Sequence, residues 1–415
     1  MSNSHNTKIA YLISRYPAIS HTFISREVTL LRALGMHIET ASINLPDHEL
    51  STMPIHEKLE ASHTYYVKQD GFLSALLAHL TTLFNHPGAW LQGFLYIFKL
   101  GTFDVKALLK GFAYFTEALM IGRWMKQRKL THLHIHFATA AANVGLYVKT
   151  VFKFPLSITV HGPDEFDNVS SQFLQEKIRA ADFIFCIGTY AKSQIMRLSD
   201  PIHWNKIHVT PLGVDPSRYE NKYVHYTGWP MHILCVGRLT PAKGQHILIS
   251  AAQRMLQQGR DFRISIVGTG PDEASLKIAS ERAGLSKHIH FTGALNQDAV
   301  HALYKEADIF VLPSFAEGIP VVLMEAMACG IPCISSRITG ISELIRSNDE
   351  GILLPPSDVD SLHRALITLM DNAQLRESIS RAARLRIITN FNLEKNIARL
   401  HVLFTKHLRT ESCSF

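Results

Sequence analysis

The chain has 415 residues, more than one hydrophobic core ordinarily supports, so two domains are expected. Hydrophobic residues make up 47% and charged residues 19%, which excludes intrinsic disorder, and no repeat or low-complexity tract stands out. A net charge of +7 with pI near 9.1 leaves three partner classes open: nucleic acid, anionic lipid or a phosphorylated substrate.

Residues 1–8 are polar and lead straight into an apolar run, so no signal-peptide core is expected and the expected location is the cytoplasm. Residues 9–14 predict a strand, 15–23 a loop, 24–34 a helix stopped by Gly35, and 38–45 a second strand, a β-α-β opening. No G-x-G-x-x-G accompanies it, so a nicotinamide site is not expected.

From 71 to 130 the pattern changes to long helices, with Phe72, Leu73, Leu76, Leu77, Leu80, Leu83 and Phe84 at helical spacing. This stretch carries seven basic residues against Asp104 and Glu117, and Trp90, Phe94, Tyr96 and Phe98 add aromatics. No run is long enough to span a bilayer. Two readings stay open: helices lying on an anionic membrane, or helices packed on the sheet as core.

His132, His134 and His136 alternate along a predicted strand and share one face, which favours a polar sheet edge or an active-site rim over a metal centre. Residues 157–160 form an apolar strand ending in His161-Gly162. That places an imidazole at the carboxyl edge of a parallel sheet, where such sheets bind ligands. Further strands are expected at 183–188 and 207–215, and the polar, turn-rich 216–230 reads as an interdomain linker. A second β/α series follows, with strands at 233–236, 264–267, 289–292, 309–312, 333–335 and 352–354. The fold class is therefore α/β, two tandem doubly wound domains.

Cys186, Cys235, Cys329, Cys333 and Cys413 mostly fall in apolar runs, as small buried hydrophobes in a reducing compartment would; Cys329 and Cys333 have the spacing of a metal pair, but no second pair accompanies them.

The richest stretch is 313–332. Residues 309–312 suit a buried strand, Pro320 suits a first helical turn, and Gly330 suits the helix end. A helix start beside a Gly-containing loop favours an anion, a phosphate first of all. Glu317 in the loop and Glu325 in the helix would repel phosphate and so should face hydroxyl groups of a sugar or ribose. After the first strand of the second series, Arg238 can grip a phosphate bidentately and Lys243 can act as a point charge. Gly268-Thr269-Gly270-Pro271 permits close backbone approach at the next strand end. All of these groups converge on one sheet edge.

In this order, Gly237-Arg238 with Lys243-Gly244, then Gly268 to Pro271, then Pro313-Ser314 with Glu317 and Glu325, the chain resembles a family 4 retaining glycosyltransferase of the GT-B class. The segment 16–24, His136-Phe137-Ala138 and His161-Gly162-Pro163-Asp164 are similar to exopolysaccharide enzymes of the colanic-acid type. The resemblance implies an N-terminal acceptor-side domain at 1–215 with a basic, aromatic helical insertion near 63–130. It implies a nucleotide-sugar domain at 216–390, a helix at 391–415 crossing back, and a cleft between the domains. It further implies a UDP- or GDP-linked sugar as co-substrate, no metal, and a glycan or lipid-linked acceptor at the cytoplasmic face of an anionic membrane, with no nucleic acid partner. Arg238 and Lys243 would hold the diphosphate, with backbone groups of Gly318, Ile319, Val321, Val322 and Gly268 nearby. Glu325 would take the ribose, Leu295 would border the base, and Glu317 and His161 would face the reacting sugar. Ile319-Pro320 departs from the family pattern, and Pro320 offers no N–H there. A catalytically silent nucleotide-sugar-binding or scaffold protein of the same fold is the alternative.

Overall fold

A computed structural model describes residues 8–18, 21–47, 53, 55–100, 104–219 and 230–412. Residues 1–7, Ile19, Ser20, most of the expected linker (220–229) and Cys413 lie outside the described residues. The chain divides into two compact units, residues 1–210 with 397–415, and residues 211–396.

The first unit runs β1 (Lys8–Arg15), α1 (Thr22–Ala33), β2 (His37–Asn44), α2 (Ile55–His63), β3 (Tyr65–Tyr66), α3 (Gly71–Asn85), α4 (Pro87–Leu100), α5 (Val105–Arg128), β4 (His132–His136), α6 (Ala140–Phe152), β5 (Leu156–Val160), α7 (Leu174–Ala180), β6 (Phe183–Cys186), α8 (Thr189–Arg197) and β7 (Ile207–Val209). Its strands are all parallel, in the order β3-β2-β1-β4-β5-β6-β7. Parallel strands are covered on both faces and so read as unbroken apolar runs, as Phe183-Ile184-Phe185-Cys186 does.

The second unit runs β8 (Met231–Val236), α9 (Gln245–Gln257), β9 (Phe262–Val267), α10 (Glu273–Arg282), β10 (Ile289–Gly293), α11 (Gln297–Glu306), β11 (Ile309–Leu312), α12 (Val321–Ala328), β12 (Cys333–Ser336), α13 (Ile341–Leu344), β13 (Ile352–Leu354), α14 (Val359–Asp371) and α15 (Ala373–Asn390). Its parallel sheet has the order β10-β9-β8-β11-β12-β13. That order reverses between β8 and β11, and open α/β sheets bind ligands outside the carboxyl ends of the strands at such a point. The final helix, α16 (Leu393–Ser412), carries Phe404, which is fully buried in the first unit against Tyr11, His134, Phe183 and Phe185.

Three expectations change. The histidines of β4 do share one face, but β4 is a central strand and all three are buried, so the face is interior rather than a sheet edge. Hydroxyls on the neighbouring strand meet them: Ser157 Oγ lies 2.7 Å from both His132 Nε2 and His134 Nδ1, and Thr159 Oγ1 lies 3.0 Å from His134 Nε2. The strand expected over 207–215 ends at Val209; Val214 instead pairs with Asn392. Pro320 precedes α12 as its cap in extended backbone, one position outside the first turn. Among the described residues the four cysteines form no disulfide and are buried, as expected.

Helices α3 to α5 have an inner and an outer face. Ala78, Ile97, Phe115, Leu119 and Trp124 join the core of the first unit. On the same helices Phe72 is 83% exposed, Phe84 78% and Leu73 68%, with Leu91, Leu95, Phe98, Val105, Leu109 and Phe112 also exposed. Among the described residues no helix is long and apolar enough to cross a membrane.

Candidate functional site

In the second unit the loops after β8 and β11, adjacent strands at the order reversal, are stitched together by backbone. The N–H groups of Phe315 and Ala316 both donate to the Ala242 carbonyl, at 2.7 and 3.3 Å. Gly244 makes this possible: it sits at φ +62°, and a Cβ there would stand 2.2 Å from the Pro313 carbonyl oxygen. The same economy governs the β9 end, where a Cβ on Gly268 (φ +134°) would lie 2.0 Å from the Gly237 oxygen.

This stitching brings Lys243 and Glu317 together. Glu317 Oε1 accepts from Lys243 Nζ at 2.6 Å and from Ser314 Oγ at 2.8 Å, and Thr339 Oγ1 donates to the Glu317 carbonyl. Both side chains are largely shielded, at 8% exposure for Glu317 and 18% for Lys243. A cation and an acid held this way are pre-set in position, so a ligand meets a formed pair rather than two mobile chains. Arg238 is exposed in the same loop, its carbonyl bonded by Gln245 Nε2 at 3.0 Å.

Helix α12 begins beside them. Pro320 has no N–H, Leu323 N already reaches the Pro320 carbonyl at 3.2 Å, and helix geometry leaves Val321 N and Val322 N without an intrahelical acceptor. These are the donors an anion would meet. Glu325 is buried one turn on, and the fully buried Tyr304 donates from its hydroxyl to Glu325 Oε2 at 3.3 Å and to the Val322 carbonyl at 3.1 Å. Burial, reinforced by the Glu325 charge, holds the Tyr304 hydroxyl well above its ordinary range and therefore in its donating form.

Gly318 lies under Gly340, whose absent Cβ would come within 2.2 Å of the Gly318 oxygen. Ile319 is buried, with its side chain against Gly340. Leu295 follows β10 and borders a depression of about 640 Å³ along that strand, which takes in His288, His290 and Leu303 but none of Arg238, Lys243, Glu317 and Glu325.

In the first unit His161 follows β5 and is 6% exposed. Its backbone is held by Glu165, whose carboxylate accepts from the N–H groups of Ala138, His161 and Gly162 and so ties the ends of β4 and β5 together. Burial pushes the Glu165 carboxyl up to about 7 against the partial offset of those donors and of Lys177. Lys177, pushed down to about 7 by burial, donates to the Ala138 and Thr139 carbonyls at 2.8 and 2.9 Å.

Sequence reasoning missed Thr339, Gly340 and Tyr304, which lack any local pattern and act only through long-range folding; Ser314 was named in its motif without its bond to Glu317. Glu165 left one signal, an acid four residues past the strand-end histidine.

The chain is similar to known proteins over most of its length. Residues 228–386 match Glycosyl transferases group 1, and residues 96–218 match Glycosyltransferase Family 4. The chain is 28% identical to the Amylovoran biosynthesis glycosyltransferase AmsK of Erwinia amylovora, over 93% of this chain and 96% of that protein. It is 26% identical, with the same coverage, to the Putative colanic acid biosynthesis glycosyltransferase WcaL of Escherichia coli strain K12. Among solved structures, Anabaena Alr3699/HepE in complex with UDP-glucose superposes with a TM-score of 0.71 at 16% identity, covering 96% of this chain and 99% of that one. This likeness carries the fold.

Proposed function

The chain is a glycosyltransferase built from a Family 4 domain and a group 1 domain, and on that premise we propose that it moves a hexose-type sugar from a UDP- or GDP-linked donor to a lipid-linked glycan in exopolysaccharide or cell-surface polysaccharide synthesis. The observation that carries the reading is the Lys243–Glu317 pair, set beside the start of α12 at the sheet's order reversal.

In this reading Arg238, Lys243 and the Val321 and Val322 N–H groups take the diphosphate, and Gly268 lets backbone approach it. Glu325 accepts from the ribose hydroxyls, Glu317 accepts from a hydroxyl of the transferred sugar, and Leu295 borders the base. When the diphosphate enters, Lys243 serves both the anion and Glu317. These fixed charges neutralise the leaving group without a metal. The acceptor hydroxyl attacks the face from which the diphosphate departs, the diphosphate takes its proton, and the configuration is retained. Glu317 positions and polarises, and His161 faces the reacting sugar.

The exposed apolar face of α3 to α5, with exposed Lys106 and Lys110 beside Val105 and Leu109, suits the cytoplasmic face of an anionic membrane where such acceptors reside. Thermal shift against UDP, GDP, ADP and their sugars tests the donor reading: UDP or GDP at 100 times its Kd adds about 2.7 kcal/mol of stability. Stabilisation by neither overturns it. Vesicle flotation tests the membrane clause. Binding to anionic but not neutral vesicles, weakened by salt and by Phe72→Ser with Phe84→Ser, is expected; equal binding by wild type and variant contradicts it.

A further inference from the structure

Behind His161 lies a chain of buried polar groups that the proposed transfer does not itself call for. Tyr11 OH donates to Glu27 Oε1 at 2.9 Å, the same oxygen lies 3.1 Å from His136 Nε2, and His136 Nδ1 lies 3.0 Å from His161 Nε2. Tyr11 and His136 are fully buried and Glu27 is 5% exposed. Burial, with the Glu27 charge next, holds the Tyr11 hydroxyl well above its ordinary range, so it donates. His161 Nδ1, at the far end, is buried without a hydrogen-bond partner among the described residues.

We infer that the Tyr11–Glu27–His136 chain locks His161 as the Nε2-protonated imidazole, so that its bare Nδ1 is offered as a hydrogen-bond acceptor to a ligand hydroxyl. The reasoning follows the protons. A carboxylate only accepts, so His136 Nε2 must carry a hydrogen toward Glu27. When the His136 ring is neutral its Nδ1 is then a lone pair, and the 3.0 Å contact to His161 puts the hydrogen on His161 Nε2. A neutral imidazole has one N–H, which leaves Nδ1 bare. His161 stays neutral because burial, then His136 and His21, hold its basicity well below the ordinary histidine range. The rings of Phe23 and Phe137 pack on it at 5.1 and 4.3 Å, and its backbone is fixed by Glu165.

The groups around the chain do not replace it with a metal site. Glu27, His134 and His136 cluster closely enough to suggest one, but both ring nitrogens of His134 are engaged by Ser157 and Thr159, and Glu27 is engaged by Tyr11 and His136. A buried acceptor left unpaired is destabilising, a cost that a ligand hydroxyl would remove. A bare nitrogen repels phosphate oxygens, so in this state His161 selects for a hydroxyl and against the diphosphate.

The ligand role rests on the sugar-transfer reading; the locked tautomer does not. Long-range proton–nitrogen NMR of the full chain with ¹⁵N-histidine, free of ligand at neutral pH, reads it directly. The expected spectrum shows His161 with Nε2 protonated and Nδ1 unprotonated. A proton on Nδ1, or averaged tautomers in the wild type, overturns the inference. His136→Phe keeps a ring but no acceptor and should average the tautomers of His161, lowering kcat/KM about tenfold with the best of UDP-glucose, UDP-galactose, GDP-mannose and ADP-glucose. His136→Asn restores a carbonyl in place of Nδ1 and should restore both the single tautomer and activity to within about threefold. Equal loss in both variants, with the lock intact in both, overturns the role of the chain. Absence of turnover with every donor would count against the transfer reading and leave the NMR result standing.

Discussion

Gly340→Ala moves the acid-bearing loop without touching an acid. Gly340 stands at φ −71°, ordinary helical backbone, so alanine brings no conformational strain. It does bring a Cβ within 2.2 Å of the Gly318 carbonyl oxygen, where ordinary contact begins near 3.4 Å. The loop holding Glu317, Gly318 and Ile319 must therefore retreat by about 1.2 Å, the difference between those distances. A misplacement of about 1 Å at a reacting centre costs roughly 10²-fold in rate. Steady-state sugar transfer by Gly340→Ala should accordingly fall about 10²-fold, while nucleotide binding, measured by thermal shift, changes little because Tyr304 and Glu325 lie on other elements. Gly88→Ala is the matched control, since a Cβ there meets nothing within 4 Å, and it should keep full activity. Wild-type turnover by Gly340→Ala would refute the placement of this loop at the chemistry.

Tyr304→Phe removes the buried donor to Glu325 and should weaken nucleotide binding about tenfold by calorimetry, with the protein still folded. The carboxyl of Glu165 rises to about 7 in the fold from an ordinary 4.5, so the folded chain holds a proton that the unfolded chain releases between those values. Its contribution to stability is full below about pH 4.5 and is lost as pH rises through about 7. The wild-type Tm should therefore lose ground to that of Glu165→Gln as pH rises across this window, and parallel curves would contradict the assignment. Metal removal by a chelator should leave transfer unchanged, because Arg238, Lys243 and the start of α12 supply the positive charge; loss restored by added divalent cation would contradict it.

Much of the fold was legible because parallel strands buried on both faces are continuous apolar runs. Residues 309–312 and 352–354 were delimited to the residue. Exceptions are β3, Tyr65–Tyr66, too short to leave a pattern, and β7, which ends at Val209 rather than running to 215. Face, as opposed to period, was less legible. The alternation of His132, His134 and His136 was plain, but its burial depended on Ser157 and Thr159 one strand away and on Phe404 from the last helix. The helices of 71–130 likewise showed their apolar period without showing that one set of side chains enters the core and another stays exposed. At the candidate site, Lys243 and Glu317 could each be singled out by residue type and loop position. Their pairing could not, since it follows from how the Ala242 carbonyl gathers the neighbouring loop.

The most direct test of the central claim is transfer itself: purified full-length chain, the nucleotide sugar that stabilises it, and a lipid-linked glycan acceptor, with the anomeric configuration of the product read by NMR. The account predicts transfer with retained configuration, reduced at least about 10²-fold by Lys243→Ala and by Glu317→Ala. Nucleotide binding with no transfer to any acceptor, an inverted product, or full activity in both variants would contradict it.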